Sequence, residues 1–306
     1  MTLGERRAAV LGLPVAHSLS PALHNAGYAA AGLTSWRYTA IDCAEDELAG
    51  FVAGLDASWA GLSLTMPLKE VALTVADAVD PLAAALGAAN TLVRGPDGWT
   101  AYNTDAPGIT DALRSAGASA AGASAAGGSA AGGSAAGGSA AGGSAAGGSA
   151  VARLAILGGG GTARAALKAA ADLGAEVTVY VRRPEAGDEL RAAAHALGVP
   201  MTVETWGRAA DAAAFDVVVS TVPKGGADAL AVAAWAPSTV VFDVVYDPWP
   251  TALAAAAERA GCAVVSGLDL LFTQGVRQFE LFTGVPAPVA QMREALWDAA
   301  ATRTPA

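Results

Sequence analysis

Residues 153–163 read Arg-Leu-Ala-Ile-Leu-Gly-Gly-Gly-Gly-Thr-Ala, and the fold follows from their order. The opening residues form a short apolar run of strand type, four glycines make a turn, and Thr162–Leu173 carries helical periodicity. The first turns of that helix hold the small residues Ala163, Ala165 and Ala166, which permit close packing on a sheet. A first glycine allows the tight turn and a second lets a pyrophosphate approach the backbone, while the helix N-terminus offers unpaired N–H donors and a positive dipole end. A glycine pattern alone is weak, but strand, turn and helix in this order predict a Rossmann-type dinucleotide-binding unit. Its phosphate loop is Gly158, Gly159, Gly160, Gly161, Thr162 and Ala163.

The next strand, Glu176–Val181, ends in Arg182-Arg183-Pro184. A site for NAD would place an acid there for the ribose 2′-hydroxyl, whereas two guanidiniums can grip a 2′-phosphate bidentately. NADP is therefore the expected cofactor, with Arg182 and Arg183 as its phosphate ligands and Arg164 adding charge from the first turn of the helix.

Working outward, helix Glu185–Leu197 and strands near Val217–Ser220, Val240–Asp243 and Ala263–Ser266 continue the array. Helices Leu268–Thr283 and Pro288–Ala300 have no strand after them and could pack on either domain. Upstream, apolar runs alternate with helical patterns: Ala8–Leu11 with Pro21–Ala31, Trp36–Ile41 with Glu45–Ala53, and Ala60–Thr65 with Leu68–Ala76. Strands at Thr91–Val93 and Trp99–Tyr102 and a helix from Asp105 to Ala116 follow. This is an α/β chain of two βαβ domains. Between them, Ala118–Ala150 is built on a Ser-Ala-Ala-Gly-Gly repeat with no large apolar residue to bury, and is predicted to be a disordered linker spanning on the order of 30 Å. It is either a tether or a neutral expansion in a tolerant loop. The expected organisation is one domain at 1–117, the linker at 118–150, the dinucleotide domain at 151–266, and terminal helices at 267–306.

At 306 residues the chain is long enough for two domains, and its net charge of −10 disfavours nucleic acid and anionic membrane as partners. No apolar run reaches the ~18 residues of a membrane helix, and Pro14 and His17 interrupt the N-terminal apolar stretch, so the expectation is a cytoplasmic enzyme. The two cysteines, Cys43 and Cys262, fit buried thiols, and no metal site is expected.

Polar residues cluster at predicted strand ends: His17-Ser18-Leu19-Ser20-Pro21, Ser63 through Glu70, Ala89-Asn90-Thr91 and Asn103-Thr104-Asp105. Each has an ordinary reading. Ser20 before Pro21 suits a helix N-cap, Asp105 could cap its own helix, Asn90 could sit in a turn, and Lys69 could be a surface residue. Lys69 stands out because the chain otherwise prefers arginine, its other lysines being Lys168 and Lys224. Lysine can lose its proton and arginine effectively cannot, so a proton-transfer role would hold lysine here, with Asp105 as its orienting carboxylate.

The runs Gly12-Leu13-Pro14-Val15-Ala16-His17-Ser18-Leu19-Ser20-Pro21, Thr65-Met66-Pro67-Leu68-Lys69, Ala89-Asn90-Thr91, Asn103-Thr104-Asp105 and Ser266-Gly267-Leu268 through Gln274 resemble shikimate dehydrogenase, in the order and spacing of that family. The resemblance covers nearly the whole chain except the linker. It implies an NADPH-dependent, reversible reduction of 3-dehydroshikimate to shikimate on the route to chorismate and aromatic amino acids. It implies further that Ser18 and Ser20 bind the substrate carboxylate, that Thr65, Asn90, Asp105 and Gln274 contact its hydroxyls, that Tyr246 lies on the substrate side, that Lys69 is the acid/base, and that Val244 and Gly267 line the nicotinamide. Two departures stand out: Ser63 replaces a common Asn, with shorter reach though still able to donate and accept, and Val181-Arg182-Arg183 replaces a common Asn-Arg-Thr. Quinate or aminoshikimate as the substrate, and a non-catalytic nucleotide-binding protein, remain as alternatives. A methylenetetrahydrofolate dehydrogenase has only the general architecture in its favour. The oligomeric state, monomer or homodimer, is not legible.

Overall fold

The computed structural model describes residues 4–120 and 149–303, and the middle of the Ser-Ala-Ala-Gly-Gly tract lies outside them. The chain begins β1 (Arg6–Gly12), α1 (Ser20–Ala30), β2 (Trp36–Asp42), α2 (Leu48–Ala53), β3 (Trp59–Leu64), α3 (Ala72–Val75), β4 (Ala78–Val79), α4 (Pro81–Leu86), β5 (Thr91–Gly95), β6 (Gly98–Tyr102) and α5 (Asp105–Ser115). Its six strands form one sheet in the order β2-β1-β3-β5-β6-β4. β1 pairs parallel with β2 and β3, but β5 runs antiparallel to both β3 and β6, so this sheet is mixed. The reason is local. Arg94 to Trp99 contains Gly95-Pro96-Asp97-Gly98, and Gly98 at φ +120° closes a hairpin that no crossover helix could replace.

After α5 come β7 (Ala118–Ala120) and β8 (Ser149–Val151), then β9 (Arg153–Leu157), α6 (Gly161–Leu173), β10 (Glu176–Val181), α7 (Ala186–Leu197), β11 (Met201–Thr205), β12 (Val217–Ser220), β13 (Val240–Asp243), α8 (Ala252–Arg259) and β14 (Ala263–Ser266). The second sheet is entirely parallel, in the order β11-β10-β9-β12-β13-β14. Chain direction reverses across the sheet between β9 and β12, the switch point where such sheets open a ligand crevice at the carboxyl ends of their strands. Its central strands β9, β12 and β13 are mostly valine, leucine and isoleucine, as burial on both faces requires.

The ends of the repeat tract do not behave as the expected disordered linker. β7 and β8 pair in parallel, Ala118 opposite Ser149 and Ala120 opposite Val151. Ala118 and Val151 are buried and join the cluster of Ile109, Leu113, Leu154 and Leu167. A neighbouring helix supplies the apolar surface that the tract itself lacks, so its boundary residues are recruited into a ladder.

α9 (Gly267–Thr283) and α10 (Val289–Ala301) settle on the first domain. Phe279, Phe282, Met292 and Leu296 pack with Ala8, Val10, Leu23 and Tyr28. Each buried side chain of this size contributes roughly 1.5–3 kcal/mol, which fixes the return of the chain after β14. α5 packs along α6, so one apolar cluster runs without a break from Ile109 to Ile156. No helix among the described residues is long and apolar enough to cross a membrane.

Candidate active site

A cavity of about 240 Å³ opens between the two sheets. Ser18 and Ser20 reach it from the start of α1, Thr65 from the end of β3, Lys69 from the turn beyond it, and Asn90 from the residue before β5. Asp105 enters as the first residue of α5 and Gln274 from α9. The second domain closes the cavity with Thr162, Val244 and Tyr246, joined by Gly267 at the start of α9. Every predicted substrate-side residue therefore lines one space, although they come from segments spread over most of the chain.

Lys69 Nζ donates to Asp105 Oδ2 at 2.6 Å and to Thr162 Oγ1 at 3.1 Å. Asp105 is buried at the N-terminus of α5, where the helix dipole favours a carboxylate. Asn90 Nδ2 donates to the other oxygen, Asp105 Oδ1, at 2.8 Å. Its amide orientation is pinned because Asn90 Oδ1 accepts the Thr104 backbone N–H at 2.7 Å. The ordinary readings fail for specific reasons. Asn103 Oδ1 accepts the Ala106 N–H, leaving Asp105 free for Lys69. The N-cap of α1 is Leu19 without a side-chain bond, and Ser20, already inside the helix, receives a bond from Ser18 Oγ at 3.2 Å. Asn90 is a buried junction and Lys69 is mostly covered.

Of the residues expected to hold the cofactor, Thr162, Val244 and Gly267 line this cavity. Gly158 has φ +109°, and a Cβ there would meet Thr221 Oγ1 at 2.6 Å, so glycine is obligatory. Open space lies above Gly160, beside the free N–H groups at the start of α6. Gly159 and Gly161 complete the turn, while Ala163 is fully buried and serves helix-to-sheet packing. Arg182 and Arg183 are exposed and form no ion pair among the described residues. These features fit a dinucleotide with a 2′-phosphate. Arg164 does not contribute as expected. Its side chain is 4% exposed and is committed to Glu70 and Glu189, so its charge is already neutralised. At the far rim, a Cβ on Gly267 would lie 2.0 Å from the Val244 carbonyl, so these two backbones approach closely only because residue 267 is glycine.

Two residues of the site, Gln278 and Tyr38, were not singled out by sequence reasoning. Gln278 lines the cavity together with Ser63, and Tyr38 stands directly behind Ser63. Gln278 follows Gln274 by one helical turn on α9, and that spacing was the available signal. Tyr38 gave none, because a tyrosine in an alternating strand reads as core.

A substrate-binding-domain model for shikimate dehydrogenase matches residues 10–92, and a C-terminal-domain model for shikimate 5′-dehydrogenase matches residues 267–296. The shikimate dehydrogenase (NADP(+)) of Moorella thermoacetica is 37% identical over 302 residues, spanning 95% of this chain and 92% of that protein. The chain belongs to the shikimate dehydrogenase family. The crystal structure of shikimate dehydrogenase from Mycobacterium tuberculosis aligns with TM-score 0.79 and 39% identity over 96% of this chain and 99% of that one. Shikimate 5-dehydrogenase from Thermus thermophilus, solved in complex with NADP(H) and shikimate, aligns with TM-score 0.75 and 29% identity over 96% and 99%. Within the shikimate dehydrogenase matches, Ser18, Ser20, Thr65, Lys69 and Asn90 fall in the first segment and Gln274 in the second.

Proposed function

We propose that this chain catalyses the reversible reduction of 3-dehydroshikimate to shikimate with NADPH, and that the Lys69–Asp105 pair is its proton-transfer centre. The observation that carries this reading is the position of Lys69 Nζ, bonded to Asp105 on one side and to Thr162 of the glycine-loop helix on the other. An ammonium has three N–H bonds, and two are committed, which leaves one for a substrate carbonyl oxygen. When bound, the cofactor supplies a hydride to the carbonyl carbon. Lys69 then gives its proton to the developing alkoxide, and Asp105 keeps the ammonium aimed and compensates its charge. In the reverse direction Lys69 takes the hydroxyl proton.

Ser18 and Ser20 bind the carboxylate of the ring, and Thr65, Asn90, Asp105, Gln274 and Tyr246 hold its remaining groups. Val244 and Gly267 form the wall for the nicotinamide. Gly158 to Ala163 take the pyrophosphate, and Arg182 and Arg183 the 2′-phosphate. Residues 1–117 with 267–306 make up the substrate unit and 151–266 the cofactor unit.

The test is a steady-state comparison of NADPH and NADH with 3-dehydroshikimate, with quinate and aminoshikimate measured in the oxidative direction. NADPH with 3-dehydroshikimate should give the highest kcat/KM. Binding of NADPH without oxidation by any of these substrates would make the chain a nucleotide-binding protein instead.

A further inference from the structure

The hydrogen-bond directions behind the cavity can be worked out from one backbone carbonyl. The Asn90 carbonyl oxygen, a pure acceptor, takes the Leu64 N–H at 2.7 Å and faces one end of the Gln278 amide at 3.3 Å. That end must be Nε2, since an oxygen there would set lone pair against lone pair. Nε2 spends its other proton on Thr91 Oγ1 at 2.8 Å. Gln278 Oε1 therefore points the other way, toward Ser63 Oγ at 2.7 Å, and can only accept. Ser63 has one proton, which goes to Gln278. The 2.6 Å contact between Tyr38 and Ser63 must then be donated by the Tyr38 hydroxyl.

Tyr38 is held in this role. It is buried, its ring stacks on His24 at 4.2 Å and 2°, and burial raises its pKa well above the ordinary phenol, so it stays a donor. All four protons of the Tyr38–Ser63–Gln278 group point at protein acceptors. What Ser63 and Gln278 have left for the cavity is lone pairs alone. Ser63 thus cannot donate to a ligand, which corrects the expectation that it could do either.

We infer that Ser63 and Gln278, with polarity imposed by the Asn90 carbonyl and Tyr38, form an acceptor-only corner that accepts a ring hydroxyl and rejects a ring carbonyl. Elsewhere on its wall the cavity offers a donor, the remaining N–H of Lys69. A ring carrying both a ketone and hydroxyls is therefore read for orientation. Its carbonyl is accepted at Lys69, and the turned-over pose would face it with two acceptors at Ser63. The corner makes the reaction regioselective at one ring carbon. This inference rests on the activity proposed above.

The experiment measures kcat/KM for 3-dehydroshikimate analogues in which each ring hydroxyl in turn is replaced by hydrogen or by fluorine, which cannot donate. At one ring position hydrogen and fluorine should be equally poor, lower than hydroxyl by about fivefold to a hundredfold, the range expected when a buried acceptor is left unmet. In Ser63→Ala the hydroxyl-to-fluorine gap at that position should shrink to about threefold or less. Should Ser63→Ala not fold, the series on the native chain decides alone. Fluorine performing as well as hydroxyl at every position overturns the inference while leaving the activity intact. No turnover of 3-dehydroshikimate itself takes down both.

Discussion

Lys69 donates across the cleft to Thr162, Nζ to Oγ1 at 3.1 Å, so the proposed proton-transfer group on one domain is steered by the first turn of the glycine-loop helix on the other. The Asp105 bond is shorter and charge-assisted, and the Thr162 bond sets direction more than strength. Lys69→Ala should lower kcat by about 10²–10⁴-fold with a small change in substrate KM, as loss of positioned proton transfer does. Thr162→Ala should lower kcat by about two- to fivefold, the low end for one hydrogen bond since water can take the hydroxyl's place, and Thr162→Ser should restore it. Equal losses in kcat for Lys69→Ala and Thr162→Ala would place the proton donor elsewhere.

The two exposed arginines after β10 should control cofactor choice. Among the described residues no carboxylate pairs with Arg182 or Arg183, which should leave both for a 2′-phosphate and make them of little consequence to NADH. Replacing both by Ala should raise the KM for NADPH by about 10–100-fold, since each charge-assisted contact carries roughly 1.5–3 kcal/mol only when well formed and less when exposed to water. The KM for NADH should move less than about threefold, and the ratio of the two, measured by steady-state kinetics, is the decisive quantity.

Arg164 gives a stability prediction with an unusual asymmetry. Its side chain is buried while its partners Glu70 and Glu189 are more than half exposed. Replacing both glutamates by alanine strands a buried guanidinium and should cost about 3–5 kcal/mol. Arg164→Met leaves two carboxylates that water can solvate and an apolar side chain in the same channel, so it should cost about 1 kcal/mol or less. Urea unfolding of the two variants checks the order. A larger loss for Arg164→Met would mean that the arginine acts through contacts other than these.

This pair also marks how far the sequence could be read. Gly158 to Ala163 and the strand before them carry their meaning locally, because turn, helix start and close packing depend on neighbours in the chain. The second sheet was accordingly legible from its apolar runs, apart from β11 and α8, whose sequences Met201–Thr205 and Ala252–Arg259 are half-polar or alanine-rich and give no clear period. The pairing of Lys69 with Asp105 was legible because a lysine standing out from the arginine-rich background called for an orienting carboxylate. Arg164 was misread because nothing local says which of two glutamates, one 94 residues away, will claim a guanidinium. Tyr38, Ser63 and Gln278 were illegible as a group for the same reason, since their polarity is set by a backbone carbonyl that only the fold brings near.

The repeat tract can be shortened. β7 and β8 are parallel, so the connection must run from the end of one three-residue strand back to the start of the other. About ten residues reach ~33 Å when extended, ample for that return. A chain retaining residues 118–120 and 149–151 but only about ten residues between them should keep kcat/KM within about twofold, because α9 and the α5–α6 contact already fix one domain on the other. Cutting into the ladder should instead lower the melting temperature, through exposure of Ala118 and Val151. If the shortened chain with an intact ladder lost most of its turnover, the tract would have a role beyond connection.

His24 makes the fold acid-sensitive in a predictable window. It is fully buried, stacked on Tyr38, and neither ring nitrogen makes a well-formed hydrogen bond among the described residues, so burial, only partly opposed by the nearby Gln278 amide, lowers its pKa from the ordinary value to about 3. Between about pH 6.5 and that value the unfolded chain binds a proton that the native chain refuses. Unfolding is then favoured as pH falls, so stability is fully present above the unfolded pKa and is lost progressively below it, by about 1.4 kcal/mol per pH unit from this residue. His24→Phe preserves a ring against Tyr38 and removes the titration. Urea unfolding at about pH 7.5 and about pH 5 should show a smaller loss for the variant than for the native chain, the difference being about 2 kcal/mol. Carboxylates that also titrate in this range are common to both proteins and cancel in the comparison. Equal losses in the two would mean that His24 is protonated in the native state, and that its stack with Tyr38 holds an imidazolium rather than a neutral ring.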